Sequence, residues 1–369
     1  MAGKLSHLQT LRGVAATLVV ADHALGILVR AGALSPRFDE PRWQLGGLGV
    51  ATFFVISGFI MIHTAYDEFG GPRRALRFAL KRLVRIAPIY WVATLLSVRH
   101  ARSIWDFLGS LLFIPTVREP GASMHPLLPQ GWTLSYEVFF YGLFAFALLV
   151  PRRIGLPALL LSLVGLVAFG ASIKPLSDLS APATLLTFFT APTILLFAVG
   201  IVLGVLARSE MIPAFVKAPI VLTVIGYGIA MATVVVFNVP NAKPFPAQIL
   251  FWIPAILAVF FCIYAPSKPN GYFDVVTARF GDASYCTYLF HLVALNPLAV
   301  VFSYVPHTIP FAIIFLIVSL ALANGVGLVI HLFVERKITA YLTVRLGLKS
   351  SPTTNPTGRE ALSTSGANP

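Results

Sequence analysis

Charge is scarce in this chain: only 11% of its 369 residues are charged, 57% are apolar, and the mean hydropathy is +0.84. An ordinary soluble domain carries about 25% charged residues, so this composition excludes a water-soluble globule and calls for lipid as solvent. Cysteine is almost absent. Cys262 and Cys286 both lie in apolar runs, which speaks against a disulfide framework and a thiolate metal site, and no metal is expected. No period of about 20 to 50 residues recurs, which excludes a solenoid. Acidic residues number 14 against 27 basic ones, a net charge of +13. No soluble basic domain holds that excess, so nucleic acid is not an expected partner. The basic residues flank apolar runs, where anionic lipid head groups and the positive-inside rule account for them.

What the chain has in quantity is apolar sequence of membrane-crossing length. A spanning helix needs about 20 mainly apolar residues, and about ten stretches qualify on that measure. Their extents are 8–29, 46–66, 84–98, 133–150, 154–172, 184–207, 213–237, 246–265, 282–304 and 310–334. The expected fold class is all-α, a polytopic membrane helix bundle of about ten transmembrane helices. Ile104 to Pro115 is too short to cross and reads as an interfacial or re-entrant segment. Arg12 interrupts the first apolar run and no small-residue cleavage site closes it, so no cleavable signal is expected. With the N-terminus inside, about 19 of the 27 basic residues fall on the inner side, which predicts that both termini are cytoplasmic. Residues 1–345 read as one membrane domain. Residues 346–369, whose end is rich in Ser, Thr, Pro, Asn and Gly, predict a disordered cytoplasmic tail.

Ionisable groups inside such helices cost about 2.5 to 3.5 kcal/mol each on insertion scales, so each one is a functional candidate. The first span holds Arg12, Asp22 and His23. Arg12 and His23 are eleven residues apart, which returns them to within about 20° of one helix face, about 16 Å apart along the axis. Ala15, Ala16 and Val19 stand between them, small enough to leave a groove toward His23. The bland alternatives, which stand beside the functional ones for each residue taken singly, are a His23 ring satisfied by a neighbouring helix and an Arg12 that snorkels to head groups. Asp22 points about 100° away from His23 and suits another helix contact or the outer interface. In the second span, Gly49 and Gly58 suit close helix approach, while Ser57 is a candidate for lining a cavity. Arg82 and Arg85, three apart at the start of the third span, share a face on which two guanidinium groups can grip a polyphosphate. The topogenic reading, six basic residues holding this loop inside, stands beside it. The run Gln130-Gly131-Trp132-Thr133-Leu134-Ser135-Tyr136-Glu137 opens the fourth span, with Thr133 as its expected N-cap and Glu137 near the first turn. A helix-terminus role explains an acidic residue there. It leaves unexplained a carboxylate that descends toward lipid among Trp132, Ser135 and Tyr136.

These residues, at these spacings, resemble the acyltransferase 3 family of bacterial membrane acyltransferases, in its exopolysaccharide O-acetyltransferase branch. The resemblance spans roughly residues 5–340. It rests on Arg12 and His23 as the family's Arg-x10-His signature, on Gly49 to Met61, on Arg82 and Arg85 with Pro88 and Tyr90, and on Trp132 to Glu137. Weaker echoes are Ser284 to His291 and Glu335-Arg336. Thr133 stands where many members carry Ser, a change that keeps the hydroxyl. Some members carry an additional extracytoplasmic hydrolase-like domain, which is not read in this sequence.

The resemblance implies acyl-CoA, acetyl-CoA in this branch, as a donor from the cytoplasm, and a hydroxyl of an exopolysaccharide or other envelope glycan as acceptor. It implies a multi-pass protein of the bacterial cytoplasmic membrane. On this expectation Arg82, Arg85 and Tyr90 hold the donor, and its pantetheine arm passes Arg12. His23 acts as general base or carries the acyl group covalently, and Glu137 orients His23 or balances its charge. Trp132, Ser135, Tyr136 and Ser57 shape the acceptor side. A rival class, a membrane transporter, also places Arg, His, Asp and Glu within spans, but its sign, matching broken helices in two halves, is not evident. A non-catalytic scaffold is the third class, for which replacing His23 would affect only packing.

Overall fold

The computed structural model describes residues 2–117, 124–175, 182–209, 245–265 and 272–348, together with residues 225, 226 and 228. The described residues are helical throughout, with one isolated bridge between Thr116 and His125 and no β-strand. In chain order the helices are α1 (Ala2–Arg30), α2 (Asp39–Ala65), α3 (Pro72–Leu96), α4 (Ile104–Leu111), α5 (Trp132–Ala147) and α6 (Arg152–Ile173). They continue with α7 (Leu185–Phe189), α8 (Leu195–Arg208), α9 (Phe245–Ile263), α10 (Tyr272–Phe302), α11 (Ile309–Ile330) and α12 (Arg336–Arg345). A π-helical turn, His331–Glu335, joins the last two.

Six helical segments among the described residues are long and apolar enough to cross a bilayer: Ser6–Arg30, Pro36–Ala65, Arg152–Ile173, Leu185–Arg208, Val276–Phe302 and Ile309–Arg345. This is an all-helical, polytopic membrane protein. The other expected spans differ for local reasons. The first half of α3 is strongly basic, α5 has only 16 residues, and the described apolar part of α9 is Trp252–Ile263. The expected span 213–237 lies outside the described residues except at three positions.

Local sequence explains several boundaries. Ser35 accepts from the Arg37 amide at the turn before α2, and Pro72 begins α3 where its missing N–H costs nothing. Ser103 caps α4 by accepting from the Asp106 amide at 3.1 Å. Interior prolines at 88, 157, 254 and 297 stay helical, as neighbouring helices in a bundle permit.

Helix α1 sits at the centre, packed on α2, α10 and α11, and α2 in turn packs on α8. The glycines of the second span make those approaches close: Gly49 lies against the Ala15 backbone and Val19 of α1, and Gly58 against Phe197 and Gly200 of α8. This corrects one expectation. Ala15, Ala16 and Val19 are all buried, Ala15 and Val19 against Gly49 of α2, so they seat a helix instead of leaving an open groove to His23. Stacked rings of Phe54, Phe197 and Phe140 tie α2, α8 and α5 together at centroid separations of 4.5 and 4.4 Å. Large apolar side chains on the outer faces, such as Leu161, Phe169, Ile313 and Ile317, are exposed, as lipid contact requires. The segment expected not to cross forms the eight-residue helix α4, held to α3 by the Tyr90 hydroxyl at 3.3 Å from Ser110 and by Trp91 Nε1 donating to Leu111 O at 2.9 Å.

Candidate active site

Two cavities meet at a pair of arginines. The inner one, about 80 Å³, lies among α1, α2, α3, α5 and α10 and is lined by Arg12, Ser57, Arg85, Thr133, Glu137, Tyr141, Tyr285 and Tyr288 with apolar neighbours. The larger one, about 900 Å³, is a vestibule at the end of the bundle formed by α1, α3, α10, α11 and α12. Its walls include Gln9, Arg12, Arg85, Arg279, Asp282, His331, Glu335 and Arg336. Arg12 and Arg85 border both.

The inner cavity is polar because the helices bring hydroxyls and charges to one place. Ser57, facing α5 from α2, donates to Glu137 Oε1 at 3.1 Å, and Tyr141, one turn beyond Glu137, donates to the same oxygen. Arg12 is buried and donates from Nη1 to Gln9 Oε1 at 2.9 Å. Arg85 has no hydrogen-bond or ion-pair partner among the described residues, a guanidinium left available to an anion. Thr133 does not cap α5, whose N-cap is Gly131. Its hydroxyl meets the Tyr288 hydroxyl at 2.7 Å, with the Gln130 carbonyl 3.2 Å from Thr133 and 2.8 Å from Tyr288.

The structure therefore gathers four of the sequence-selected residues, Arg12, Ser57, Arg85 and Glu137, around one cavity. It separates others. Arg82 turns to α2, donating to Thr64 Oγ1 at 2.8 Å with its guanidinium over the Phe78 ring, and borders neither cavity. The hydroxyl of Tyr90 is taken by Ser110 and its ring stacks on Phe113, so it anchors α4. Tyr136 is buried, stacked on Phe188 and donating to Phe188 O at 2.7 Å, while Ser135 donates back to Gly131 O. Trp132 packs edge-on against Phe54 and Tyr136.

His23 lies along α1 from the cavity. Its Nδ1 is 2.9 Å from Val19 O, and because a carbonyl only accepts, Nδ1 carries the proton and Nε2 keeps its lone pair in the neutral ring. Asp22 does serve another helix: it forms a buried ion pair with Arg42 of α2 at 2.7 Å, and its second oxygen is 3.9 Å from His23 Nδ1. The hydrogen bonds of Glu137 go to Ser57 and Tyr141, not to His23. The ring beside His23 is that of His291 on α10, at a centroid distance of 4.8 Å. His291 in turn is 6.2 Å from the Tyr288 ring, which lines the inner cavity.

Sequence reasoning passed over Arg279 and the π turn, and had His291 and Arg336 only as weak echoes of the family pattern, with no role assigned to either. In the sequence His291 closes the run Ser284 to His291, and nothing there pairs it with His23. In the π turn, His331 Nδ1 lies 2.7 Å from Glu335 Oε2, which also accepts from Cys286 Sγ at 3.1 Å, so the buried Glu335 closes one side of the vestibule. Nothing in the one-dimensional pattern brings residues 9, 85, 279 and 335 together.

A polytopic helical bundle with facing cationic and anionic groups inside it defines an intramembrane reaction centre or conduit, and comparison with known proteins decides which. Residues 6–325 match the family described as "Acyltransferase domain", and the protein is a membrane acyltransferase. It belongs to the acyltransferase 3 family. Over 268 residues the chain is 31% identical to the exopolysaccharide production protein ExoZ of Rhizobium meliloti (strain 1021), covering 70% of this chain and 79% of that protein. Over 277 residues it is 24% identical to the acyltransferase MdmB of Streptomyces mycarofaciens, covering 68% and 69% of the two. No solved structure matches.

Proposed function

We propose that the protein is an O-acetyltransferase of the bacterial cytoplasmic membrane that moves an acetyl group from cytoplasmic acetyl-CoA to a hydroxyl of an exopolysaccharide or other envelope glycan. The observation that carries this is the sharing of Arg12 and Arg85 between the two cavities. An acyl-CoA has bulky phosphates at one end and a thin thioester arm at the other. A vestibule with four arginines, narrowing at two of them into a small cavity, suits both ends. Arg279, Arg336 and Arg85 hold the phosphates from the cytoplasmic side, with both chain termini on that side, and the arm passes Arg12.

His23 is the general base. Its Nε2 takes the proton of the acceptor hydroxyl as the oxygen attacks the thioester carbonyl, the carbon–sulfur bond breaks, and the His23 imidazolium passes that proton to the departing thiolate, which leaves as the free thiol and restores the neutral ring. Glu137, held by Ser57 and Tyr141, fixes a negative charge opposite Arg12 and Arg85 and keeps both side chains turned to the cavity. Similarity to ExoZ, an exopolysaccharide production protein by name, supports the acceptor class.

The test is transfer of label from acetyl-CoA in oriented vesicles that contain the native glycan, with His23→Ala and Arg85→Ala at matched expression. Expected are a loss of at least about a hundredfold for His23→Ala and mainly a raised KM for acetyl-CoA with Arg85→Ala. Normal transfer by both variants rejects this site. A wild type that transfers nothing to its native glycan rejects this donor and acceptor pair.

A further inference from the structure

The geometry points to His291 as a second imidazole of the reaction, a positioning residue that holds the His23 ring and stabilises the imidazolium formed when His23 takes the acceptor proton. The assignment rests on the role of His23 proposed above. His291 is fully buried in α10. Its Nδ1 is 2.6 Å from Tyr288 O, so Nδ1 carries the proton and Nε2 is a bare acceptor. That Nε2 is buried and has no hydrogen-bond partner among the described residues. A buried acceptor without a donor is destabilising, and an apolar side chain of similar size would fit the same space without that cost. Packing alone therefore does not account for a histidine here.

The neighbour that does account for it is His23, whose ring meets the His291 ring nearly edge-on, with an interplanar angle of 61°. In the resting state both rings present proton-free Nε2 atoms, and neither offers the other an Nε2–H. Once His23 has taken a proton it is a cation, and the neutral ring beside it carries an Nε2 lone pair that no other described group uses, so the two attract through charge and dipole in that state. The interaction is stronger in the charged state than in the ground state, which is the requirement for lowering a barrier. The other charged groups around His23 do not supply this. Asp22 is already paired with Arg42, and Glu137 is held by Ser57 and Tyr141. Tyr288 links the pair to the inner cavity, since its ring lies 6.2 Å from that of His291 and its carbonyl fixes the His291 tautomer.

Three variants in the vesicle assay separate this role from packing: His291→Leu, His291→Gln and His23→Ala, with thermal midpoints measured in detergent. Leu fills the space without an acceptor, whereas Gln retains an acceptor that cannot take up a proton near neutral pH. The expected result is a Leu variant as thermostable as wild type, with kcat reduced about ten- to a hundredfold and KM for acetyl-CoA within about twofold, the scale of a lost hydrogen bond to a charged group. The Gln variant should recover most of that kcat despite equal or lower thermal stability. Packing predicts the reverse order, Leu as active as wild type and Gln the worse of the two. That order, or activity that falls only in proportion to stability in both variants, overturns the assignment. If His23→Ala transfers normally, the His23 role itself is wrong and the assignment falls with it; if only His291→Leu transfers normally, the His23 role stands and this one does not.

Discussion

Glu137 and Asp22 are both carboxylates within the bundle, yet their neighbours give them different work. Two hydroxyls hold Glu137 at the cavity wall opposite two arginines, whereas Asp22 is consumed by Arg42. Glu137→Gln keeps the shape and removes the charge, so transfer should fall by about tenfold or more while membrane level and thermal midpoint change little; assays at matched expression decide it. Arg42→Met should act on stability instead. It strands a buried carboxylate, an effect of about 3 to 5 kcal/mol, and the double variant with Asp22→Asn should recover part of the loss in thermal unfolding. Tyr90→Phe removes the hydroxyl that meets Ser110, so it should cost about 1 kcal/mol of stability and leave KM for acetyl-CoA unchanged.

Helix spacing is set by small residues. Gly58 of α2 and Gly200 of α8 face each other so closely that an added Cβ at either would strike the backbone of the other helix. Gly58→Ala should therefore lower stability by about 1 to 3 kcal/mol, and it should also reduce transfer, since Ser57 on the adjoining position is displaced from Glu137. Parallel thermal and activity measurements on this one variant check both. Close approach at Gly49 and Gly58 was legible in the sequence because small residues stand out against bulky apolar ones. The role of Thr133 was not. Capping preference favoured Thr133 at the helix start, but α5 begins one residue earlier, at Trp132, and the hydroxyl of Tyr288, distant in sequence, supplies the partner that draws Thr133 to the cavity.

At the scale of the whole molecule, the basic vestibule opens at the end of the bundle where the start of α1, α12 and the basic part of α3 gather. If acetyl-CoA enters there, Arg279→Gln and Arg336→Gln should each raise its KM, by more at low ionic strength than at high, without lowering kcat. Vesicles of known sidedness should use acetyl-CoA only from the face that also exposes tags placed at the two termini. Use of donor from the opposite face would contradict the proposed orientation.

Composition and hydropathy alone determined that this is a helical membrane protein, because lipid admits only backbones that satisfy their own hydrogen bonds over long apolar runs. Helical periodicity pointed to a shared face for Arg12 and His23, the three-residue spacing of Arg82 and Arg85 marked a pair of cations, and the cost of charge in lipid marked Glu137. Tertiary structure decided which of these meet. It seated α2 on the small residues between Arg12 and His23, tied Arg82 to Thr64 of α2, gave Glu137 to Ser57 and Tyr141, and put His291 beside His23. Those outcomes depend on how the helices lie against one another, and a periodicity of about 3.6 residues describes one helix at a time.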